Sequence, residues 1–254
     1  LHQNITHINM ATKIEWTESV WNPISGCSKV SEACRNCYAE VMAKRLQAMP
    51  ASKEKYKNGF KVTLHPECIN EPYKWKKPRM VFVCSMGDLF HEDVPFEYID
   101  KVMDVIRNTP QHTYQILTKR AERMAEYFNP LRGVPTNVWL GVTCESDKHF
   151  DRINHLRNIN GAKVRFLSCE PLLGDLWGIN LRGIDWVITG GESGTNARRT
   201  PVEWFRTLRD ACQRNFVDFF FKQWGAWGED GVKRSKYKNG SLLDGREWKQ
   251  MPRP

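Results

Sequence analysis

The chain has 254 residues, with 38 Lys and Arg against 29 Asp and Glu for a formal net charge of +9, and it is 41% apolar and 26% charged. Those proportions exclude wholesale disorder, a fibrous repeat and a multi-span membrane protein, since apolar runs such as Met80–Cys84 fall far short of the ~18 residues a membrane helix needs. The excess of positive charge points to an anionic partner such as nucleic acid.

Residues 1–11 read as an N-terminal extension without a basic-then-apolar leader, and Met10 reads as a natural start. A first strand is expected near Lys13–Thr17. Six further apolar runs each end in a polar cluster: Arg79–Cys84, Thr113–Leu117, Val138–Val142, Val164–Leu167, Trp186–Thr189 and Phe219–Phe221. They are too short for helices and read as buried parallel strands. Between them, Pro95–Asn108 places Phe96, Ile99, Val102 and Ile106 on one helical face. Ser146 is positioned to cap a helix carrying Phe150, Ile153 and Leu156, and Thr200-Pro201 to cap one carrying Phe205, Leu208 and Cys212. This alternation predicts a single α/β domain, a partial or complete (β/α) TIM-type barrel over residues 12–224, with an open doubly wound sheet as the alternative. Residues 50–79 form a basic insertion, and residues 225–254 a basic, turn-rich extension of the same domain with hairpin signals at Asn239-Gly240 and Asp244-Gly245.

Cys27-x6-Cys34-x2-Cys37 gathers three thiols within eleven residues. Three cysteines in one loop suit a [4Fe-4S] cluster with one iron open; structural zinc is the alternative, with Cys68 or His65 as a fourth ligand. Cys84, Cys144 and Cys169 read as small core residues, with a hydrogen-atom donor among them as the sharper alternative. In an α/β barrel the strand C-termini carry the chemistry, and here Ser85, Asp88, Thr118, Lys119, Thr143, Glu145, Ser168, Glu170, Glu192, Lys222 and Gln223 fall there, with Gly87, Gly190 and Gly191 permitting close backbone approach. Three basic stretches interleaved with aromatics (50–79, Arg198-Arg199 and 233–253) are expected to ring that mouth and contact phosphates, Lys74, Lys76 and Lys77 among them.

The cysteine loop, preceded by Trp21-Asn-Pro-Ile-Ser-Gly26 and followed by Tyr38-Ala-Glu40, resembles the radical S-adenosylmethionine superfamily. Ser85-Met-Gly-Asp-Leu-Phe-His91, Thr118-Lys-Arg120, Phe166–Gly174, Gly190-Gly-Glu-Ser-Gly194 and Phe221-Lys-Gln-Trp-Gly225 narrow the resemblance to a phage-associated three-cysteine branch, distantly similar to spore photoproduct lyase. The chain departs from the superfamily's usual pattern in its six-residue first gap, in Asn36 before the last cysteine, and in Ser85-Met-Gly-Asp88 where Gly-Gly-Glu is usual.

The resemblance implies a [4Fe-4S] cluster on Cys27, Cys34 and Cys37, S-adenosylmethionine, a one-electron reductant and a 5′-deoxyadenosyl radical. It implies cofactor contacts from Asn36, Tyr38, Ser85, Gly87, Asp88, Lys119, Thr143, Glu145, Ser168 and Glu170. Ser85 and Asp88 are assigned to the methionyl amine, and Thr143 and Glu145 to the ribose. Glu192 and Lys222 are the expected catalytic groups, and Arg198, Arg199, Gln223 and Trp224 the expected substrate contacts. The expected substrate is DNA bearing a pre-modified, amino-acid-like thymine, to be rearranged, with lesion repair as the competing reaction and a zinc-stabilised, non-catalytic nucleic-acid-binding module as the alternative. The expected location is the cytoplasm, that of the host cell if the chain is phage-encoded.

Overall fold

A computed structural model describes residues 12 and 14–253; the expected N-terminal extension lies outside the described residues. Seven strands, β1 (Ser19–Trp21), β2 (Met80–Val83), β3 (Thr113–Thr118), β4 (Val138–Thr143), β5 (Val164–Cys169), β6 (Trp186–Gly190) and β7 (Asp218–Gln223), pair in chain order and all parallel. They form a curled half-barrel, so the partial barrel is the observed form. Among the described residues, five helices of about two turns or more accompany it: α1 (Tyr38–Ala48), α2 (Phe96–Arg107), α3 (Ala121–Tyr127), α4 (Phe150–Arg157) and α5 (Val202–Arg214), with a single-turn helix at Lys236–Asn239. No helix among the described residues is long and apolar enough to cross a membrane.

Side chains alternate across a strand, and here the alternation divides the core into two layers. Leu140, Val142, Leu167, Val187, Phe219 and Phe221 face the helices and pack with Ile99, Val102, Ile153, Phe205 and Leu208. Phe82, Trp139, Phe166, Trp186 and Phe220 face the concave side, with Trp16 plugging them. Trp186 is central, its ring 5.6 Å from Phe166 and 6.0 Å from both Trp139 and Phe220. Gly141 makes room for this layer, because a Cβ there would stand 2.4 Å from the Phe166 ring. The same alternation carries Lys119, Thr143, Ser168, Glu170 and Lys222 to the concave rim at the strand C-termini.

The first strand begins at Ser19, six residues beyond the expected start; Trp16 is a core plug rather than a strand residue, and Lys13 lies outside the described residues. Neither expected cap forms. Ser146 precedes a 3-10 turn, Asp147–His149, and caps nothing with its side chain. Thr200 donates its hydroxyl to the Leu172 carbonyl (2.7 Å), and Pro201 takes the N-cap position of α5. Asp244 and Gly245 both adopt positive φ (54° and 71°) and join Leu242–Leu243 to Arg246–Glu247 as a tight hairpin. Asn239 instead ends the short helix Lys236–Asn239, with Gly240 (φ 70°) closing it. Residues 248–250 run antiparallel along β7 and cover its outer edge, Phe221 N–H donating to Trp248 (2.8 Å) and Gln250 N–H to Phe219 (3.2 Å).

The basic insertion serves both ends of the sheet. Thr63–Leu64 pairs with Ile24–Ser25 beside the cysteine loop. Lys74–Lys77 instead lie at the N-terminal edge, where Trp75 stacks 5.6 Å from His112, just before β3. They are therefore not part of a ring around the mouth, because they feed directly into the start of β2.

Candidate metal centre

The segment 26–37 lies across the C-terminal edge of the sheet and is tied down at both ends. Gly26 (φ +87°) runs so close to Lys61 that a Cβ would meet its carbonyl oxygen at 2.2 Å, and it bridges Gly87, whose own Cβ would stand 2.9 Å from the Gly26 oxygen. The close approach at Gly87 is thus to the cysteine loop itself. Cys27 N–H donates to Phe60 (3.1 Å). A 3-10 turn, Glu32–Asn36, carries Cys34, and Cys37 opens α1. All eight cysteines are free; Cys27, Cys34 and Cys37 are partly exposed and the other five are buried. Cys84, Cys144 and Cys169, at 3%, 0% and 0% exposure, belong to the core.

Arg120, buried just beyond β3, gathers one side of the loop. Its Nε donates to both Glu92 oxygens (2.8 and 2.9 Å), Nη1 to Asp88 Oδ2 (3.2 Å) and Cys27 Sγ (3.4 Å), and Nη2 to Ser28 Oγ (2.7 Å). Asp88 also accepts from Thr118 Oγ1 (2.7 Å), Phe90 N–H (3.0 Å) and Lys119 N–H (3.3 Å), so both its oxygens are engaged. His91 Nδ1 accepts the Asp93 N–H (3.1 Å), which leaves Nε2 to donate to Ser28 Oγ (2.8 Å). Burial and Arg120 lower the His91 pKa, favouring the neutral ring. Burial, then the Asp88 charge, pushes the metal-free Cys27 thiol up to about 11. Burial would also raise Cys34, but the Val30 backbone hydrogen bond and the Lys119 charge bring it below the usual thiol range.

The opposite side is held by the Gly190-Gly-Glu192 loop. Glu192 is buried and accepts from Arg198 N–H (2.8 Å) and Nε (2.9 Å), while Arg198 Nη1 donates to the Glu32 carbonyl (3.0 Å). Asn36 Nδ2 donates to the Asn196 carbonyl (3.0 Å), and Lys148 pairs with the Glu32 carboxylate (3.0 Å). The pair expected to meet substrate, Glu192 and Arg198, is thus engaged with each other and with the cysteine loop. Arg199 is exposed and forms no ion pair among the described residues. Trp224 is buried, donates to the Leu242 carbonyl (2.7 Å) and packs on Phe205 and Phe221. Gln223 Nε2 donates to Ser193 Oγ (3.1 Å).

Between these clasps lies the polar rim. Lys222 Nζ donates to both Glu170 oxygens (2.8 and 3.1 Å). Tyr38 donates its hydroxyl to the Ser85 carbonyl, and Ser85 Oγ donates to Asn22 Oδ1 (3.2 Å). Lys119 Nζ donates to Thr143 Oγ1 (3.3 Å), and Ser168 stands beside Thr143 in register. Glu145 is fully buried, with Oε2 accepting from Arg152 (2.9 Å) and Oε1 facing His149 Nε2 at 3.5 Å. Burial raises the Glu145 carboxyl, but Lys119, Ser31 and Arg152 together outweigh it and keep it ionised.

Sequence reasoning singled out Lys119 and passed over Arg120, Ser28, Glu92 and Arg152. The signals for Arg120 are its place just past a strand end and its membership of the Thr118-Lys-Arg120 segment, neither of which gave it a role.

Among the described residues, no three Cys, His, Asp or Glu side chains converge tightly enough for one ion. Tetrahedral zinc needs four ligands about 2.3 Å from the metal, and the expected fourth ligands are engaged. His65 bonds Ser25 (2.8 Å) and faces Glu67 (3.4 Å), and Cys68 Sγ accepts from Lys55 (3.1 Å). A four-iron cube binds each cysteine to a different iron, so its ligands stand farther apart, and three thiols suffice. The partly exposed trio, with the ionised Glu145 carboxylate and the Lys119–Thr143 pair on the neighbouring rim, fits a cluster with a polar cofactor beside it.

The fold has solved relatives at low identity. A spore photoproduct lyase variant superposes with TM-score 0.53 and 11% identity over 86% of this chain and 79% of that one. A variant with bound AdoMet and dinucleoside spore photoproduct gives 0.46 and 12% over 83% and 64%, and a lyase complexed with the dinucleoside gives 0.45 and 12% over 74% of this chain and 58% of that one. No curated protein matches the sequence. Residues 11–252 match the family described as "Protein of unknown function (DUF5131)", and the chain belongs to that family.

Proposed function

We propose that the protein is a radical S-adenosylmethionine enzyme that modifies a nucleic-acid base. The observation that carries this reading is the three-cysteine loop laid across the C-terminal edge of a half-barrel sheet, the edge where α/β barrels do chemistry. Cys27, Cys34 and Cys37 hold the [4Fe-4S] cluster. When bound, the cluster and S-adenosylmethionine supply hydrogen-atom abstraction from an unactivated carbon after one-electron reduction. The protein positions the parts and excludes water. Thr143 and Glu145 receive the ribose hydroxyls, with the Glu145 carboxylate held ionised by Lys119, Ser31 and Arg152. Asp88 is committed to Arg120 and Thr118, so Ser85 is left to meet the methionyl amine. Asn36, Tyr38, Lys119 and Ser168 border the same space, and Gly87 lets the loop sit close.

The proposed substrate is a thymine flipped from phage DNA into the mouth, at a cost of a few kcal/mol. Lys233 and Lys236, lining an open cavity of about 450 Å³ beside Ser193 and Thr195, hold flanking phosphates, and exposed Arg199 adds charge. The Glu170–Lys222 pair on the rim offers a carboxylate to an amine and an ammonium to a carboxylate. That complement favours a thymine bearing an amino-acid-like group, rearranged with no atoms lost. Splitting of a thymine lesion is the competing reaction, favoured by the fold likeness to spore photoproduct lyase.

The test is anaerobic reconstitution with iron and sulfide, reduction, and incubation with glycyl-thymine DNA or lesion DNA. A brown protein that forms 5′-deoxyadenosine and converts the modified nucleoside to an isomer of equal mass supports the proposal. Turnover on the lesion alone moves the reaction to repair. A colourless protein whose DNA binding needs zinc refutes the enzyme reading.

A further inference from the structure

Arg120 does not match any role in the reaction above, yet it is the most heavily bonded side chain at the site. Its guanidinium is 5% exposed and is shared among Cys27 Sγ, Asp88, Glu92 and Ser28. Of the three loop cysteines, Cys27 is the one whose sulfur receives this donor. We propose, resting on the cluster assignment above, that Arg120 and Asp88 act as opposed positioning residues that set the cluster's reduction potential through Cys27, the guanidinium donating to the ligand sulfur and Asp88 restraining it with the opposite charge.

Reduction adds one electron, from a low-potential donor such as dithionite, to the oxidised cluster, with no bond made or broken. A hydrogen bond donated to a ligand sulfur, and a positive charge near it, stabilise the electron-rich reduced form. Burial keeps water from screening either charge. Asp88 Oδ2, 3.2 Å from the same Nη1 that reaches Cys27 at 3.4 Å, pulls in the other direction. Glu92, with its side chain 60% exposed, orients the far edge of the fork and is partly screened. The arrangement predicts a pattern of opposite signs that a purely structural arginine would not produce.

The experiment is an EPR-monitored redox titration of the reconstituted cluster without S-adenosylmethionine, with iron counted in every sample. Arg120→Met should lower the reduced-to-oxidised ratio at fixed potential by tenfold or more, about 59 mV for one electron. Asp88→Asn should raise it, and the double variant should fall between the two. Glu92→Gln, which removes a mostly exposed charge while leaving Arg120 and Asp88 in place, should shift the ratio less than either single variant. Shifts of the same sign in both single variants, or no shift with full iron, overturn the proposal. Loss of iron from Arg120→Met, Arg120→Lys and Glu92→Gln alike also overturns it, because the contact would then serve assembly. A wild-type chain that takes up no iron overturns the cluster assignment as well, whereas iron-loaded variants with unchanged potentials overturn the tuning alone.

Discussion

At the lower end of the concave face, Trp16, Trp139, Phe166, Trp186 and Phe220 form a buried aromatic layer, with Lys249 Nζ over the Phe220 ring at 4.6 Å. At the upper end the loops beyond the strands carry Asp88, Glu145, Glu170 and Glu192, each held by an arginine or lysine within 3.2 Å. Buried ion pairs return little net stability once desolvation is counted, so the upper end is a poor place to look for what keeps the chain folded. Three of the four pairs instead border or grip the cysteine loop: Asp88–Arg120 at Cys27, Glu145 near Ser31, and Glu192–Arg198 at Glu32. Stability comes mainly from apolar packing in the two core layers, and position from the charges. The comparison predicts that substitutions at the two ends separate folding from metal content.

The largest expected effect is at the loop. Replacing Cys27, Cys34 or Cys37 by Ala should reduce iron after reconstitution to background while the unfolding midpoint stays close to wild type, since these residues are only partly buried. Cys212→Ala, in the helix-facing core, should keep its iron. Full iron in Cys34→Ala would sink the assignment. Next comes Trp186→Ala, which removes the centre of the aromatic layer. A large-to-small change of this kind costs about 3–5 kcal/mol, a fall of roughly 10 °C in the midpoint for a domain of this size. The folded fraction should still take up full iron. A proportionate loss of iron per folded molecule would show that the two ends are not separable.

The strands and most helices were legible in the sequence because short β-rich runs and helical stripes are local patterns. So was the trio of cysteines, which is close in sequence. The first strand was misplaced because Trp16 looks like a strand residue but packs as a plug, a distinction set by Phe82 and Trp186 far along the chain. Asn239-Gly240 suits a hairpin and a helix end equally, and the flanking contacts decide. The least legible feature was commitment. Asp88 and Glu192 follow strand ends as expected, but whether such a group faces substrate or another loop depends on pairings such as Arg198 with Glu32, separated by 166 residues.

Acid should discriminate the two ends as well. Burial works to raise the Glu192 carboxyl, but the Arg198 hydrogen bonds outweigh it and hold it below the ordinary 4.5. A carboxyl depressed on folding stabilises above its unfolded pKa, and the contribution is lost as pH falls through the folded value. Breaking a buried pair costs roughly 3–5 kcal/mol, and the partial exposure of Arg198 brings this nearer to about 2. Glu192→Gln should therefore lower the midpoint at pH 7 and converge on wild type as pH falls below the ordinary carboxylate range. A gap that persists in acid would mean that shape, rather than charge, holds the loop.

The smallest effect concerns nucleic acid, and it tests which end the partner meets. Lys74, Lys76 and Lys77 are exposed but lie at the N-terminal edge, whereas Lys233 and Lys236 line the cavity beside Ser193 at the mouth. Each phosphate contact contributes about 0.9 to the slope of log affinity against log salt on duplex DNA. Changing Lys233 and Lys236 to Gln should flatten that slope by one to two units' worth of contacts, roughly 0.9 each. The triple change at 74, 76 and 77 should leave the slope nearly intact, with only the weaker long-range attraction reduced. The reverse result would place the DNA across the lower end. A base could not then reach the cysteine loop without crossing the aromatic layer, and the base-modifying reading would fall with it.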